Sequence, residues 1–496
     1  VIAIRAKEAR NQQQDVKSAV LRRIFHERWR EGLGVTRDEA MRPESGSGTL
    51  PSGLAPRQAR FTFLTVCIAV ALATLDTAIA NVALPTIAFD LKASPADSIW
   101  VVNAYQLATV MTLLPLAALG EVVGYRVVYM IGLSIFTVAS LFCAVSTSLP
   151  MLTAARALQG LGASGIVSVN VALLRLAFPP RRLGRAFGYN ALVVAVAFAV
   201  GPTVAAGILS VATWPWLFAI NVPAGLLALA IAFLSLPRGH EQDRRFDTPS
   251  ALLNAAAFGF LILALGDAVH AASPLRLAAE FGAAIVFGTT LIRREWHKPA
   301  PLLPVDLFRR PLFALSAATS MGAFATQGLA FVSLPFYFQT TLGRSEVDTG
   351  LLMTPWPVLT AVMGPIAGRL SDRYNPAVLG GIGLAMLCVG MALLAMLPAN
   401  PDVPDIVWRM AVCGMGFGFY QSPNIRAIMT SAPAHRSGGA SGIVATARLT
   451  GQTVGAALVA LCFGISLVHG PVLALGLGCA TSGLAALVSF LRLKAK

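Results

Sequence analysis

Fourteen stretches of the 496-residue chain are apolar and long enough to cross a bilayer, lying near 62–84, 99–119, 127–147, 150–172, 186–208, 216–236, 250–270, 275–292, 313–334, 348–368, 377–397, 405–428, 438–466 and 470–491. A spanning helix needs about 20 such residues. Inside hydrocarbon every backbone N–H and C=O must be satisfied within the segment, which leaves helices as the spanning element for runs of this length. The expected fold class is therefore an all-α polytopic membrane protein. Composition agrees: 56% of residues are hydrophobic and 12% charged, against about 25% charged in soluble domains. Spans 7 and 8 are the weakest, because they carry Asp267 and Glu280.

The net charge of +15 raises the question of nucleic acid. Placement answers it. With the N-terminus inside, 32 of the 38 Lys and Arg fall on inner segments, and only Lys92, Arg276, Arg344 and Arg409 on outer loops. That is the positive-inside bias of a membrane protein. No nucleic-acid partner is expected, and the inferred location is the inner (plasma) membrane with both termini cytoplasmic.

The chain repeats. Gly184, Ala186, Gly188 and Gly201 in span 5 recur 254 residues later as Gly438, Ala440, Gly442 and Gly455 in span 13. The loop after span 2 (LGEVVGYR) has a counterpart after span 10 (GRLSDRY). Six helices thus repeat as six, with spans 7 and 8 inserted between them, a pattern typical of secondary transporters. The expected divisions are a tail at 1–60, a six-helix bundle at 61–237, the insert and its loops at 238–312, and a second bundle at 313–496. The tail reads either as an overlong start with Met41 as the initiator, or as a cytoplasmic segment with a short amphipathic helix over Val16–Arg30.

Two charges lie deep within the first bundle. Asp76 sits in the middle of LDTAIANVALP in span 1. A charge at that depth costs roughly 2.5–3.5 kcal/mol on insertion scales and is a functional candidate by default. Ala69, Leu72, Ala73, Ala80 and Ala83 share its helical face. Asp76 reads as a proton or cation carrier, with a structural acid as the alternative. Arg156, in ARALQGLGA of span 4, falls at a similar depth and is its candidate partner, either exchanging on protonation or holding the bundle together. Arg448, mid-span in span 13, has no carboxylate at its depth. It either faces a central cavity or bonds helix-end carbonyls. Asn81, Tyr105, Gln106, Gln159 and Gln327 are the other candidate cavity residues.

Gly160-x-Gly162-x-x-Gly165 matches a dinucleotide fingerprint in form only. It lies within a span, with no preceding strand, and reads as helix packing. The chain has no GxxxxGK[ST] phosphate loop, so no cofactor is expected and an ion gradient is the energy source left. Gly201-Pro202 in span 5 would bend or gate that helix. The two repeated loops carry Glu121, Gly124 and Arg126 after span 2 and Gly368, Arg369, Asp372 and Arg373 after span 10, groups suited to locking two helix ends on the inner face, with ordinary solvated loop charge as the alternative. The six cysteines lie in apolar segments and read as small buried hydrophobes. With the six histidines dispersed, no metal is expected, and nothing points to an enzyme.

Together these motifs resemble the major facilitator superfamily, and within it the fourteen-helix drug:H+ antiporters of the EmrB/QacA type. The resemblance runs from about Arg60 to Arg492. It rests on LDTAIANVALP, on WVVNAYQLA in span 2, on ARALQGLGA, on Gly201-Pro202, on TWPWLFAINVPAG entering span 6, on PLLPVDLFRRPLF before span 9 and on ARLTGQTVGAAL in span 13. It implies the major facilitator fold and proton-coupled multidrug export of small hydrophobic compounds by alternating access, with Asp76 and Arg156 in the coupling apparatus. The alternatives are a dedicated exporter of a single metabolite or organic anion, with Arg156 and Arg448 attracting the negative group, and a non-transporting membrane partner. The lipid bilayer and protons are the implied partners. A periplasmic adaptor is left open, and the chain is otherwise expected to act as a monomer. Three departures stand out. Glu121-Val122 replace the usual Asp-Arg before the loop glycine, Ala205-Ala206 replace the Gly-Gly of the span 5 motif, and Pro215 replaces an Arg, which would kink the outer edge of span 6.

Overall fold

A computed structural model describes residues 54–237, 246–269, 273–296, 298, 301, 303–433 and 436–494. The start-site alternatives, Met41 and Val16–Arg30, lie outside these residues. Fourteen long helices follow one another: α1 Pro56–Asp90, α2 Trp100–Val123, α3 Tyr125–Ala144, α4 Leu149–Ala177 and α5 Pro180–Leu209. Next come α6 Pro215–Ser235, α7 Thr248–Val269, α8 Pro274–Glu295, α9 Pro311–Phe336 and α10 Glu346–Leu370. The last four are α11 Pro376–Ala395, α12 Val403–Ser431, α13 Ser437–Ile465 and α14 Gly470–Leu491. All but α12 are apolar enough over a continuous window to count as membrane spans. α12 is long enough, but Asp405, Arg409 and Arg426 interrupt it at both ends. The expected tail boundary at residue 60 falls inside α1, which starts at Pro56 because proline at a first helical position sacrifices no hydrogen bond.

Within the first six helices the close pairs are α1–α5, α1–α6, α2–α4, α3–α4 and α3–α6. The same five pairs recur among the last six, each helix number raised by eight: α9–α13, α9–α14, α10–α12, α11–α12 and α11–α14. Glycines set the approach. A Cβ at Gly160 would collide with the Tyr105 carbonyl, and one at Gly414 with the Trp356 carbonyl; Gly162 and Gly165 meet Gly132, as Gly416 meets Gly383. The GxGxxG run is therefore the surface on which α4 packs against α2 and α3, as small-residue helix packing in membranes requires.

The halves meet most tightly at the face away from the Lys/Arg-rich loops. There the Thr86 hydroxyl donates to Glu346 Oε1 (2.6 Å), Gln339 Nε2 donates to the Val82 carbonyl (3.1 Å), and the Thr203 and Thr354 hydroxyls lie 2.9 Å apart. Within the first half a Cβ at Gly201 would strike Ala78 of α1, and across the halves one at Gly350 would strike Pro202 and Ala206 of α5. α5 continues through Pro202. Where the family pattern has Gly-Gly at 205–206, the glycine that permits close approach sits on the opposite helix, as Gly350. Toward the basic face α5 leaves α10: Gly184 and Gly188 face open space, and Tyr189 is exposed.

The inserted pair α7–α8 is not spread evenly around the bundle. α7 packs on α2 and α13, while α8 rests on α7. Asn254 Nδ2 donates to the Met111 carbonyl (2.8 Å), and Phe258 joins Val110, Leu113 and Leu449 in one apolar cluster. α7 thus covers one of the two seams between the halves. Asp267 and Glu280, which weakened the sequence case for these spans, both pair with Arg276 (2.5 and 3.1 Å) at the end of the hairpin.

Three details differ from expectation. Pro215 does not kink span 6; it stands at the first helical position, and the break in α6 comes at Ile220, between Pro215–Ala219 and Asn221–Ser235. Cys388 and Cys479 are half-exposed, with their sulfurs 3.4 Å apart. The repeated loops each grip their own half. Arg126 donates to the carbonyls of Phe233 (2.7 Å) and Leu236 (3.1 Å) at the end of α6, and Asp372 pairs with Arg426 on α12. Gly124, between α2 and α3, has φ +93, a conformation glycine alone adopts without strain. Gly368 packs on Ser422. Glu121 is half-buried at the end of α2, and Arg369 and Arg373 are exposed.

Candidate functional site

Four helices of the first half bring their polar residues to one point. α1 supplies Asp76, which is 1% exposed, and α4 supplies Arg156, which is fully buried. Arg156 Nη1 lies 2.5 Å from Asp76 Oδ2. The other carboxylate oxygen, Oδ1, accepts from Gln159 Nε2 and from Asn221 Nδ2, both at 2.8 Å. Asp76 is thus held by α4 and by α6, whose break at Ile220 places Asn221 at the start of its longer segment. Three donors on one buried carboxylate offset the cost of removing it from water, which an unpaired acid would bear in full.

Arg156 is equally saturated. Its Nε donates to the Val101 carbonyl on α2 (3.0 Å) and its Nη1 also reaches Gln159 Oε1 (2.6 Å). The guanidinium lies 4.3 Å from the Tyr105 ring centroid and 5.4 Å from that of Phe218. Gln159 extends the network to the Ser140 hydroxyl on α3 (2.8 Å). The network thus ties Asp76 of α1 directly to α4 and α6 and, through Arg156 and Gln159, to α2 and α3.

Gln159, expected in the substrate cavity, belongs instead to this network. It lies three residues after Arg156, one helical turn on the same face, and that spacing was the available signal. Asn221 and Ser140 were not singled out from the sequence. Asn221 is the lone carboxamide of span 6, within the quoted TWPWLFAINVPAG run, and Ser140 carries no distinguishing pattern.

The remaining candidates lie elsewhere. Asn81 on α1 and Gln106 on α2 are buried with their amide oxygens unpaired among the described residues, as is Asn103. Gln327 on α9 accepts from Gln452 on α13 (2.9 Å). Tyr105, stacked on Arg156, donates its hydroxyl to the Ala73 carbonyl (3.3 Å). Arg448 makes no ion pair among the described residues and its buried Nε has no partner, so the helix-end carbonyl alternative is not realised at that atom. Tyr105 is the titratable side chain within its electrostatic reach. Among the described residues no cluster of His, Cys, Asp and Glu could hold a metal ion.

Residues 66–456 match the model of the Major Facilitator Superfamily. The chain is 55% identical to the uncharacterized transporter YebQ of Escherichia coli (strain K12), over 82% of this chain and 90% of that one. It is 30% identical to the riboflavin transporter RibZ of Clostridioides difficile (83% and 90% covered) and 32% identical to the multidrug resistance protein Stp of Mycobacterium tuberculosis (78% and 72% covered). Among solved structures it is similar to a POT family transporter crystallised with a thioalcohol-conjugated peptide, with a TM-score of 0.67 at 13% identity, covering 87% of this chain and 95% of that one.

Proposed function

The chain belongs to the Major Facilitator Superfamily, and from that membership we propose that it is a proton-coupled exporter of hydrophobic toxic compounds, of the fourteen-helix drug:H+ antiporter type. The basic face is cytoplasmic in this reading, by the positive-inside bias. The observation that carries it is the Asp76–Arg156 pair, buried where four helices meet and satisfied by Gln159 and Asn221. A carboxylate so placed links its protonation to the packing of α1 against α4 and α6. Intramembrane acids of this kind commonly serve as proton relays. The halves are closed at the outer face and part along α5 toward the basic face, which suits a carrier waiting for cytoplasmic substrate. The drug-resistance name of a relative such as Stp supports the substrate class.

In the cycle, substrate enters from the cytoplasm while Asp76 is ionised, the carrier reopens outward, and protonation of Asp76 from outside accompanies release. Return and deprotonation toward the cytoplasm reset it. The test is Asp76→Asn in everted membrane vesicles, with hydrophobic cations, neutral compounds and carboxylates added in turn. Wild-type vesicles should release protons on addition of at least one of these classes and the variant on none. Release at the wild-type rate from the variant would show that Asp76 is not the carrier.

A further inference from the structure

We infer that Arg448 is a substrate-binding cation and that the compounds exported are amphipathic organic acids, an apolar body carrying a carboxylate or sulfonate. The inference rests on the exporter reading above and names its substrate class.

The argument starts from charge. Among the described residues, three charged side chains lie near mid-span in the two bundles: Asp76, Arg156 and Arg448. The first two cancel at 2.5 Å. Arg156 has its Nε and Nη1 engaged by protein acceptors and its plane against Tyr105 and Phe218, and it is fully buried, so it is closed to a ligand in this conformation. Arg448 is the opposite case. It is half-buried, its Nε has no hydrogen-bond partner, and Tyr105 is its titratable neighbour. α13 is flanked by α2, α7, α9 and α14, and Arg448 interacts electrostatically with Tyr105 of α2, which puts it on the side of α13 that faces the first half. A guanidinium kept out of water without a carboxylate needs a compensating anion, and a planar fork of donors fits a carboxylate or sulfonate. Gln106 and Asn103, on the α2 stretch that packs toward α13, have amide oxygens with no protein partner among the described residues, acceptors open to a donor on the ligand's body.

Tyr105 links this site to the carboxylate. Its ring lies against Arg156 while its hydroxyl is within electrostatic reach of both Asp76 and Arg448. A bound anion at Arg448 and a proton on Asp76 therefore act on one shared side chain.

Charge accounting gives a second consequence. Loaded with an organic anion and with Asp76 ionised, the site carries no net charge as it moves outward. Emptied and protonated at Asp76, it returns with Arg156 and Arg448 uncompensated, at two positive charges. Exchange of one anion for one proton thus moves two positive charges inward per cycle, driven by an inside-negative potential. A lipophilic cation in the same site would add its charge to that of Arg448 in a poorly solvated space.

The test uses purified full-length protein and three probes with one body: 1-pyrenebutyrate, 1-pyrenebutanol and pyrenebutyl-trimethylammonium. Fluorescence polarisation gives each affinity. The carboxylate should bind about tenfold or more tighter than the alcohol, the scale of a charge-assisted hydrogen bond, and the ammonium no better than the alcohol. Arg448→Gln should erase the carboxylate's advantage and keep alcohol binding, which also shows that the variant is folded. Arg448→Lys should retain most of the advantage. An unchanged preference in Arg448→Gln, or tightest binding of the ammonium, would overturn the inference. In proteoliposomes, pyrenebutyrate-driven proton flux above that of Asp76→Asn liposomes should rise with a valinomycin-imposed potential, and flux indifferent to potential would overturn the charge accounting. If ethidium drives Asp76-dependent proton flux while the carboxylate preference is absent, the acid site falls and the exporter stands. If the Arg448-dependent preference is present and no compound moves protons, the proton reading falls and the site stands.

Discussion

Gly160 of α4 lies against the Tyr105 carbonyl of α2, and Gly414 of α12 lies in the same way against the Trp356 carbonyl of α10. In both places a threonine one turn further on, Thr109 or Thr360, donates to the glycine carbonyl at 3.1 Å. The offsets of 251 and 254 residues that relate these positions also relate the side chains around them. Arg156 corresponds to Met410, Gln159 to Cys413 and, through the shared Leu-Pro at 84–85 and 334–335, Asp76 to Thr326. All three counterparts in the second half are buried. One backbone frame thus holds an ion-pair network in one half and a largely apolar packing in the other. The second packing shows that the frame does not need the charges in order to form. A buried ion pair is weak evidence for stability, since apolar replacements of similar volume are often as stable. The comparison therefore assigns the glycine contacts to architecture and agrees with a functional reading of the Asp76–Arg156 network.

Breaking one partner is the most damaging way to probe this difference. Arg156→Gln leaves Asp76 buried with its strongest donor gone. It should destabilise the protein by about 3–5 kcal/mol, the usual cost of orphaning a buried charge. Thermal unfolding in detergent, followed by exposure of buried cysteines to a thiol-reactive dye, measures it. A loss no larger than that of a surface substitution would mean that the pair is not held as the distances indicate.

Converting the first half to the second is the sharper experiment. Asp76→Thr, Arg156→Met and Gln159→Cys together remove both charges at once. The triple variant should unfold at least as late as wild type, with a gain of about 1–4 kcal/mol by analogy with other replaced ion pairs. It should show no proton-coupled transport in vesicles. A triple variant as unstable as Arg156→Gln would show that the first half depends on its network for folding.

The repeat, the fourteen helices and the two buried charges are legible in the sequence because each leaves a strong mark. Glycines recur at fixed offsets, hydrocarbon demands long apolar runs, and a charge within such a run stands out by its cost. The partners of Asp76 are less legible. Asn221, Ser140 and Gln159 are uncharged, cost little to place in a helix, and belong to different spans whose rotation about their axes a linear pattern does not define. The partners of Arg126 and Asp372 are hard to read for the same reason. Their charges were visible, but which helix end each would reach, α6 or α12 of its own half, depends on the packing of helices far apart in sequence. The apolar counterparts Met410 and Cys413 are silent in any search for charge.

Arg448 gives a smaller stability effect of opposite sense. Its counterpart in the first half is Val194 on α5, so Arg448→Val again copies one half onto the other. No protein partner is lost, and a cation that costs roughly 2.5–3.5 kcal/mol in a span is removed. The variant should be no less stable than wild type, in contrast to Arg156→Gln. Marked destabilisation in the same unfolding assay would mean that Arg448 has a structural partner.

The smallest effect is expected at the basic face, where a saturated carboxylate sits near water instead of hydrocarbon. Asp247, just before α7, accepts from Lys298, from the Ser250 hydroxyl (2.8 Å) and from Arg294 Nη2 (3.2 Å), while Lys298 also reaches Glu295 Oε1 (2.5 Å) at the end of α8. Burial pushes its carboxyl up, but the hydrogen bonds from Lys298, Ser250 and Arg294 outweigh that and hold it well below the usual carboxylate range. A lowered carboxyl stabilises the folded state above its unfolded pKa, and that contribution is lost as pH falls through the folded value. Asp247→Asn should therefore cost roughly 1 kcal/mol or less at pH 7, given the solvent screening of a partly exposed pair. The gap to wild type should stay constant from pH 7 to about pH 5, since both values lie above the ordinary carboxylate pKa. It should narrow only in more acidic solution. A gap that widened on acidification would mean that Asp247 is destabilised by its surroundings, and that charge at this clamp works against the α7–α8 hairpin.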